Sequence, residues 1–512
     1  MKSSEDIFID LHRLRFKVFL NVAPMLLQTF LVVDSDLPRK TGRANAFEQR
    51  WGLMTNGKSS TARAAQCAVA MCAMLFLTCG VTARAAAPAH GEWLVLSDIH
   101  LDPTGRHADG SIGQDANPAL LALAIDTMRR VDPDPPVVVI TGDFLEHSFD
   151  PRTSAATIRS IARSFDRAFP RAQFVLALGN EDSDCADYAQ PPDSPFLRTV
   201  AQAWEPLVNR HGSAPGFMRS FSRHGFYVAG LPGDRLHAVV IDDAYWSIRA
   251  NNRCETRGDP GGEALRDLDA ALGSNRSGRT LVFAHIPPGI DTFSSVKMSR
   301  GLLTIPFLQA RAQRSYVRIL GDPKNHVTGV MSGHTHKFSF RIVGRAASPV
   351  PIVLIPSISA FLGNAPAFLT MKVSARGALG QVRDWTLLAG RWEERGGTAT
   401  LAMSDASARS ILDLHLRLQT DERLRDTSAR LYDGGVAPEI DRSNWRSYWC
   451  ASTELSIEAF RACTFEGGYG VVTARGIVAL VLGVAIAALI VAAIVVNLRR
   501  RRRGTPTRFG RL

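Results

Sequence analysis

The chain has few cysteines for its length, seven in 512 residues. No two of them have the C-x-x-C spacing, which argues against a cysteine-ligated metal site. Three lie in an apolar N-terminal stretch, which leaves four in the rest of the chain: Cys185, Cys254, Cys450 and Cys463. An even number suits two disulfides in an oxidising compartment, and sequence nearness favours Cys450–Cys463 and hence Cys185–Cys254.

The central part of the chain has no excess of basic residues, although the net charge of the whole is +12. Residues 1–85 hold 11 Lys and Arg against 6 Asp and Glu, and residues 476–512 hold 7 Arg and no acidic residue. Since the whole chain has 60 basic and 48 acidic residues, the part between these ends carries 42 of each. A central part without net charge is not expected to bind a nucleic acid.

The N-terminal region has the pattern of a signal peptide over residues 54–85. Lys58 and Arg63 form a positive start, residues 64–80 are apolar, and Ala83-Arg84-Ala85 provides a small-residue cleavage site. Residues 1–53 form an extension ahead of this pattern. Either translation truly starts at Met54, or residues 54–85 are an anchor that is not cleaved.

Near the other end, residues 476–496 contain no charged residue. As a helix this segment would span roughly 30 Å, the thickness of one bilayer core. Five arginines follow at 499–503, and the positive-inside rule then keeps the tail 497–512 in the cytoplasm. The sequence therefore predicts one transmembrane helix, a basic cytoplasmic tail and a catalytic part exported to the extracytoplasmic side.

Polar clusters follow five short apolar runs, which read as buried strands because they are brief and bounded by Gly, Pro or charge. The runs are 93–96, 137–140, 174–178, 281–283 and 327–331. The side chains that follow them are Asp98 and His100, Asp143 and His147, Asn180, His285, and His334 and His336. Open α/β sheets place their sites at the carboxyl ends of strands. These oxygen and nitrogen ligands therefore predict a two-metal hydrolytic centre.

Asp143 is the natural bridging ligand in this set. It follows Gly142, which lets the backbone turn sharply. Asp98 and His100 are expected on one face of an extended segment, since residues two apart share a face. His334 and His336 have the same spacing and are therefore also expected on one face.

The whole set resembles the signature of the calcineurin-like metallophosphoesterases: Asp-x-His, Gly-Asp, Gly-Asn, a lone His, then Gly-His-x-His. Within that superfamily it is most similar to the acid sphingomyelinase-like phosphodiesterase branch. Two segments carry this likeness, Gly142-Asp143 followed by His147, and Ala284-His285-Ile286-Pro287-Pro288-Gly289.

The resemblance implies two divalent metal ions, for which nitrogen-rich ligation favours zinc while allowing iron or manganese. It assigns the first ion to Asp98, His100, Asp143 and His336. It assigns the second ion to Asp143, Asn180, His285 and His334. His147 would protonate the leaving oxygen, although a surface histidine beside Glu146 would look the same in the sequence. The chain departs from the family pattern at Glu181, where relatives carry His, and an ionised carboxylate there would repel a phosphate.

The resemblance also implies an α/β fold, a four-layer α-β-β-α sandwich with a helical C-terminal extension before the transmembrane helix. The expected divisions are 86–397 for the catalytic domain, 398–475 for a helical subdomain and 476–496 for the membrane helix.

The expected function is hydrolysis of a phosphoric ester, with a phosphodiester favoured, by an exported, membrane-anchored enzyme. The substrate is a small molecule or a lipid headgroup. The sequence leaves open a phosphomonoesterase, a polyphosphatase or a nucleotide hydrolase. A metal-containing surface binding protein with impaired catalysis is the non-enzymatic alternative, motivated by Glu181.

Overall fold

The structure is a computed structural model and describes most of the chain from residue 91 onward. The described ranges are 91–105, 111–251, 253–254, 258–275, 278–299, 302–344, 348–395, 404–465, 482–483, 485–486 and 488–495. The predicted extension 1–53 and signal peptide 54–85 lie outside these ranges.

Two sheets of six strands each form the centre of the described fold. The first has the order β12-β11-β10-β1-β2-β3 and the second the order β4-β5-β6-β7-β9-β8. The strands are β1 (Trp93–Leu96), β2 (Val137–Ile140), β3 (Gln173–Leu176), β4 (Tyr227–Gly230), β5 (Leu236–Val240), β6 (Arg279–Phe283), β7 (Val327–Ser332), β8 (Ser339–Val343), β9 (Val350–Leu354), β10 (Ala367–Val373), β11 (Leu379–Leu388) and β12 (Arg391–Arg395).

One half of the first sheet and the middle of the second sheet are parallel. Strands β1, β2 and β3 pair in parallel, and so do β5, β6, β7 and β9. Buried, β-branched runs such as Val137–Ile140 suit parallel strands that are covered on both faces. Parallel strands end at the same edge of a sheet, so the loops that follow β1, β2 and β3 are brought together, as are those that follow β6 and β7.

The two sheets pack against each other, and strand β6 shows how. Leu281 and Phe283 belong to the same core cluster as Val95 of the first sheet. Val282, between them, packs in a second cluster with Leu268 and Tyr316 of the helices outside. Successive side chains of a strand point to opposite faces, so one face of the second sheet meets the first sheet and the other meets helices.

Six helices connect the strands of the catalytic part. They are α1 (Pro118–Val131), α2 (Ser154–Ala168), α3 (Pro195–Val208), α4 (Phe217–His224), α5 (Pro260–Ser274) and α6 (Ala310–Gly321). Helix α1 begins where Asn117 accepts a hydrogen bond from the Leu120 amide, and Pro118 occupies the first turn, an arrangement that stabilises a helix start.

Four further helices follow the sheets: α7 (Ala408–Thr420), α8 (Glu422–Leu431), α9 (Trp445–Ala451) and α10 (Ile457–Phe465). A disulfide between Cys450 and Cys463 joins α9 to α10. The Arg341 side chain of β8 donates to the Ala451 carbonyl, which fastens these helices to the second sheet. The other predicted disulfide, Cys185–Cys254, is also present, so both predicted pairings are confirmed.

The prediction of a membrane-spanning helix over 476–496 is wrong. Among the described residues, no helix has both the length and the apolar character needed to cross a bilayer. Part of the predicted span lies outside the described residues. The predicted membrane partner, which depended on this helix, loses its support.

Candidate metal centre

The loops that follow β1 and β2 are joined by their backbones. The Asp98 amide donates to the Gly142 carbonyl at 2.9 Å, and the His100 amide donates to the Asp143 carbonyl at 3.0 Å. The Asp143 side chain in turn accepts from the Glu181 amide at 2.9 Å, which adds the loop after β3. Three adjacent strand ends are thereby held in contact, as expected for parallel strands.

The backbone at the site is not extended, which corrects the sequence argument for Asp98 and His100. Their φ angles are 49° and 44°, in the left-handed region. Asp143, His334 and His336 share this conformation, with φ of 53°, 67° and 61°. Non-glycine residues rarely adopt it, and such strain concentrates at functional sites. The side chains converge because the chain turns sharply at each of them, not because they share a strand face.

Two glycines allow the loops to approach this closely. A Cβ on Gly142, which has φ of 103°, would lie 2.6 Å from the Gly179 nitrogen and 2.8 Å from Nδ1 of His285. A Cβ on Gly333 would lie 2.5 Å from Oδ2 of Asp98. No larger residue fits at either position without moving a predicted metal ligand.

The first group of ligand atoms is formed by His100, His336, Asp98 and Asp143. Nε2 of His100 lies 3.1 Å from Nε2 of His336 and 3.5 Å from Oδ2 of Asp143. Nε2 of His336 lies 3.4 Å from Oδ1 of Asp98. The Asp98 carboxylate is held by the His334 amide, which donates to both of its oxygens at 3.0 and 3.1 Å.

The second group is centred on His285. Its Nε2 lies 3.0 Å from Oδ2 of Asp143, 3.2 Å from Oδ1 of Asn180 and 3.3 Å from Nδ1 of His334. The Asn180 amide nitrogen donates to Asp187 at 2.8 Å, which turns the Asn180 oxygen toward His285. Asp143 is therefore common to both groups, and the structure brings together all seven predicted ligands.

The chemistry of these atoms fits divalent cations. Nδ1 of His100 donates to the Leu145 carbonyl at 2.9 Å, and Nδ1 of His285 donates to the Thr141 carbonyl at 2.8 Å. In the neutral His100 ring this leaves Nε2 with a lone pair, which lies 3.5 Å from Oδ2 of Asp143 and is available to a cation. Nε2 of His285 lies 3.0 Å from the same carboxylate oxygen, a position that suits a proton or a metal ion between the two atoms. Such outer hydrogen bonds are also what orients histidine ligands in metal sites.

The charges at the site differ between the histidines. Burial lowers the pKa of His100 to about 4 and that of His334 to about 3, which favours the neutral form that binds metals. Burial opposes ionisation of Asp143, but the charge and hydrogen bond of His285 hold the pKa of Asp143 below its usual range. Burial would lower the pKa of His285, yet the carboxylates of Asp143 and Asp98 raise it to about 10, so a proton on His285 supplies the positive charge when no ion is bound. Within the described part of the chain, Asp98, His100 and Asp143 form one candidate metal cluster, and Asp143, His285 and His334 form another.

His147 lies beside the first group. Its ring stacks on His100 at 4.0 Å and on Phe361 at 3.7 Å between centroids, and its Nδ1 bonds Asp115 at 2.8 Å. Burial alone would lower the pKa of His147, yet the hydrogen bond and charge of Asp115 raise it above its ordinary value. The nitrogens of His100, His147 and His336 also lie within 4.8 Å of one another, so His147 is close enough to the site for the predicted role.

Glu181 is turned into the protein. It is 4% exposed, and its Oε2 has no hydrogen-bond partner among the described residues. Burial and the neighbouring Asp187 and Asp143 raise the pKa of Glu181 well above its usual range, which favours the neutral form. A neutral Glu181 repels a phosphate less than the ionised carboxylate that the sequence analysis considers.

Three residues of the site were missed by the sequence analysis. Asp115 orients His147, and Asp187 orients Asn180. Asp182 accepts from the amides of Phe144 and Gly179 at 2.8 Å each, which ties the loops after β2 and β3 together. Asp182 stands at the acidic position of the family motif that begins at Gly179-Asn180, so the motif could have marked it. Asp115 and Asp187 lie on loops away from the family motifs, and no local pattern marks them.

Comparison with known proteins agrees with this geometry. Residues 93–338 match the sequence model of the calcineurin-like phosphoesterases. The human acid sphingomyelinase-like phosphodiesterase 3b is 22% identical over 74% of this chain and 91% of its own length. The mouse cyclic GMP-AMP phosphodiesterase SMPDL3A is 23% identical over 54% of this chain and 65% of its own.

Among solved structures, the purple acid phosphatase PPD1 of yellow lupin (Lupinus luteus) seeds aligns with a TM-score of 0.34 at 10% identity. That alignment covers 59% of this chain and 52% of the lupin protein.

The family match and the His/Asp clusters together indicate a centre for two divalent metal ions. Residues 93–338 are a calcineurin-like phosphoesterase domain, and the chain is a metal-dependent phosphoester hydrolase.

Proposed function

We propose that the chain hydrolyses a phosphodiester at two metal ions held by the seven side chains described above. The observation that carries this proposal is the position of Asp143, whose carboxylate belongs to both candidate clusters. A shared carboxylate is what two adjacent ions require, because it holds them at a short distance and offsets part of their charge.

The first ion is assigned to Asp98, His100, Asp143 and His336, and the second to Asp143, Asn180, His285 and His334. The contacts of His336 with His100 and Asp98 support the first set. The contacts of His285 with Asn180 and His334 support the second. When bound, the ions would act as Lewis acids that neutralise charge developing on the phosphoryl oxygens.

The chain's own residues orient the ligands and move a proton. Asp187 fixes the Asn180 oxygen, and the His334 amide fixes the Asp98 carboxylate. His147 donates a proton to the leaving oxygen, while Asp115 holds its ring at Nδ1 and leaves Nε2 for this transfer.

A diester is preferred to a monoester because the relatives compared above are named phosphodiesterases. The direct test compares hydrolysis of bis-p-nitrophenyl phosphate with that of p-nitrophenyl phosphate by the purified, metal-loaded chain. A higher kcat/KM for the diester supports the proposal. A higher kcat/KM for the monoester replaces it with a phosphomonoesterase.

Zinc is the proposed metal because four of the seven ligands are imidazoles, and nitrogen-rich ligation fits zinc. Iron and manganese are the alternatives. Elemental analysis of protein purified from cells grown with all three metals would decide. Predominant iron or manganese would overturn the assignment to zinc and leave the two-metal site intact.

The catalytic part is proposed to work in an exported, oxidising compartment. The disulfides Cys185–Cys254 and Cys450–Cys463 support this, because such bonds persist outside the reducing cytosol. Thiol labelling of protein taken directly from cells tests it. Four reactive thiols at these positions would contradict export.

A further inference from the structure

The loop after β3 is fastened by a covalent bond to the loop after β5. The bond is the disulfide Cys185–Cys254, which joins positions 69 residues apart. Cys185 lies five positions after Asn180, one of the proposed ligands of the second metal ion. The loop after β5 carries none of the seven proposed ligands, so it can influence the metal centre only through its contacts with the loop after β3.

Hydrogen bonds beside the disulfide hold the same two loops together. The Asn251 side-chain amide donates to the Asp187 carbonyl at 2.9 Å, and the Asn251 backbone amide donates to the Tyr188 carbonyl at 3.2 Å. The Arg249 guanidinium lies over the Tyr188 ring at 4.6 Å, and its Nη2 lies 3.6 Å from Oδ2 of Asp187. The loop after β5 therefore holds residues 187 and 188 in place.

These two residues in turn hold Asn180. Oδ1 of Asp187 accepts from the Asn180 side-chain amide at 2.8 Å, and the Tyr188 backbone amide donates to the Asn180 carbonyl at 3.0 Å. The Asn180 oxygen is thereby directed toward Nε2 of His285, 3.2 Å away. Outer contacts of this kind orient the ligands of a metal ion. A continuous set of contacts thus joins the disulfide to a ligand of the second ion.

The ligands of the first ion are oriented from other loops. Nδ1 of His100 donates to the Leu145 carbonyl, which lies in the loop after β2. The Asp98 carboxylate accepts from the His334 amide, which lies in the loop after β7. Loss of the Cys185–Cys254 bond should therefore weaken the second ion more than the first.

One end of this disulfide is open to solvent. Cys254 is exposed and Cys185 is half-buried. In the other disulfide, Cys450 is fully buried and Cys463 is half-buried. Thiol–disulfide exchange requires access to one of the two sulfurs. A dithiol should therefore reduce Cys185–Cys254 before Cys450–Cys463.

We infer that the Cys185–Cys254 disulfide positions Asn180 for the second metal ion, and that reduction of this bond weakens the binding of that ion. A dithiol would give two electrons and two protons to the sulfurs and become a disulfide itself, while Cys185 and Cys254 become thiols. Asp187 is then held by noncovalent contacts alone, and the Asn180 oxygen is fixed less firmly. The inference rests on the proposed assignment of Asn180 to the second ion.

The test measures zinc binding by the metal-free, full-length chain in competition with a chromogenic chelator. Cys185→Ser/Cys254→Ser removes this disulfide, and Cys450→Ser/Cys463→Ser removes the other one as the matched control. The first variant should bind one of two zinc ions about 10–100-fold more weakly than the wild type, the range for lost outer partners of metal ligands. The control should bind both ions with wild-type affinity. Circular dichroism shows that each variant is folded at the assay temperature.

Reduction of the folded wild-type chain tests the same bond without a substitution. During mild treatment with dithiothreitol, alkylation and mass spectrometry of samples should show free thiols at Cys185 and Cys254 before they appear at Cys450 and Cys463. Affinity for one zinc ion should fall in step with the first pair and return on reoxidation. Reduction of the first pair with unchanged zinc affinity would overturn the inference.

A double-mutant cycle with Asp187 tests whether the bond acts through Asn180. Asp187→Ala leaves the Asn180 amide without its carboxylate partner and should weaken the same zinc ion. In this background, Cys185→Ser/Cys254→Ser should cause a much smaller further loss than in the wild type, because both changes disturb one set of contacts. Two losses that multiply in full would overturn the positioning role.

The outcomes separate this inference from the proposed function. A wild-type chain that binds two zinc ions, with Cys185→Ser/Cys254→Ser binding both as tightly, would overturn the inference alone. An equal loss in the Cys450→Ser/Cys463→Ser control would do the same. A folded wild-type chain that binds no second zinc ion would overturn the two-ion assignment as well. None of these measurements depends on which phosphoester the chain hydrolyses.

Discussion

Nε2 of His100 lies 3.1 Å from Nε2 of His336, although the two residues are 236 positions apart. With Nδ1 of His100 donating to the Leu145 carbonyl, the neutral His100 ring presents a lone pair to its neighbour. Two imidazole nitrogens at this distance share either a hydrogen bond between neutral rings or a cation, and the carboxylates of Asp98 and Asp143 beside them favour the cation.

Metal removal should therefore destabilise the protein. Without ions, the buried Asp98 and Asp143 carboxylates share His285 as a positive neighbour, which offsets only part of their charge. Ligands that bind only the folded state stabilise it, by about 2.7 kcal/mol at one hundred times Kd. Thermal unfolding should shift to lower temperature after chelation and return when zinc is added.

Asp143→Asn supplies the control for this experiment. It removes the charge that both clusters share and should make the unfolding temperature much less sensitive to added zinc. A wild-type protein that melts at the same temperature with and without chelator would contradict a preformed metal site.

Replacing His147 should slow hydrolysis in a way that depends on the leaving group. Loss of a general acid costs about 10²–10⁴-fold, and the cost should be largest for esters of simple alcohols. Esters of p-nitrophenol, whose anion leaves without a proton, should lose much less with His147→Ala. Comparison of kcat for the two ester types measures this.

The metal content of the His147→Ala variant distinguishes a general-acid role of His147 from a metal-ligand role. The nitrogens of His147, His100 and His336 lie close together, so a ligand role would reduce the bound metal in His147→Ala. Unchanged metal content with a leaving-group-dependent loss is expected. Asp115→Asn, which leaves the ring without its carboxylate partner, should give a smaller loss of the same kind.

Glu181→Gln should leave kcat/KM within about two-fold of the wild-type value. Because burial and nearby carboxylates favour the neutral acid at this position, an amide of the same shape imitates it. A several-fold gain in kcat/KM would instead show that an ionised Glu181 repels the substrate. Glu181→His, which restores the residue of the family pattern, should be assayed alongside.

The ion pair between Lys337 and Glu439 should contribute to stability as a unit. Nζ of Lys337 lies 2.8 Å from Oε2 of Glu439, and the two side chains are 5% and 7% exposed. Lys337 directly follows His336. Lys337→Met alone leaves a buried carboxylate and should cost about 3–5 kcal/mol in the free energy of unfolding. The double variant Lys337→Met/Glu439→Gln should cost less than the sum of the single variants in urea denaturation.

An exposed pair is the reference for this measurement. Arg417 and Asp413 lie 3.8 Å apart on α7 and are both more than half exposed, so Arg417→Ala should change stability by about 0.5 kcal/mol or less. Additive losses for the Lys337 and Glu439 variants would show that the buried pair is not coupled.

Much of the fold follows from local patterns in the sequence. The runs at 93–96 and 137–140 are strands with those bounds. These elements are predictable because buried parallel strands are uniformly apolar. Strands β11 and β12 were missed because their solvent-facing residues interrupt any apolar run.

The sequence predicts which residues form the site, but it does not predict the backbone conformation and long-range contacts that bring them together. The seven ligands stand out because each follows a strand, yet the left-handed backbone at Asp98 and His334 has no local signal. The Asp115–His147 hydrogen bond joins residues 32 positions apart, and such contacts depend on how loops pack. The spanning helix is predicted from an uncharged apolar run alone, and the described residues contain no helix that is long and apolar enough to cross a bilayer.

Metal analysis of the purified chain and of Asp143→Asn tests the central claim most directly. Elemental analysis of the wild type, coupled to its turnover of bis-p-nitrophenyl phosphate, should give two divalent ions per chain and metal-dependent hydrolysis. Asp143→Asn should lose most of the bound metal and all measurable turnover. A folded wild-type protein that binds no divalent metal, or an Asp143→Asn variant that retains full activity, would contradict the account.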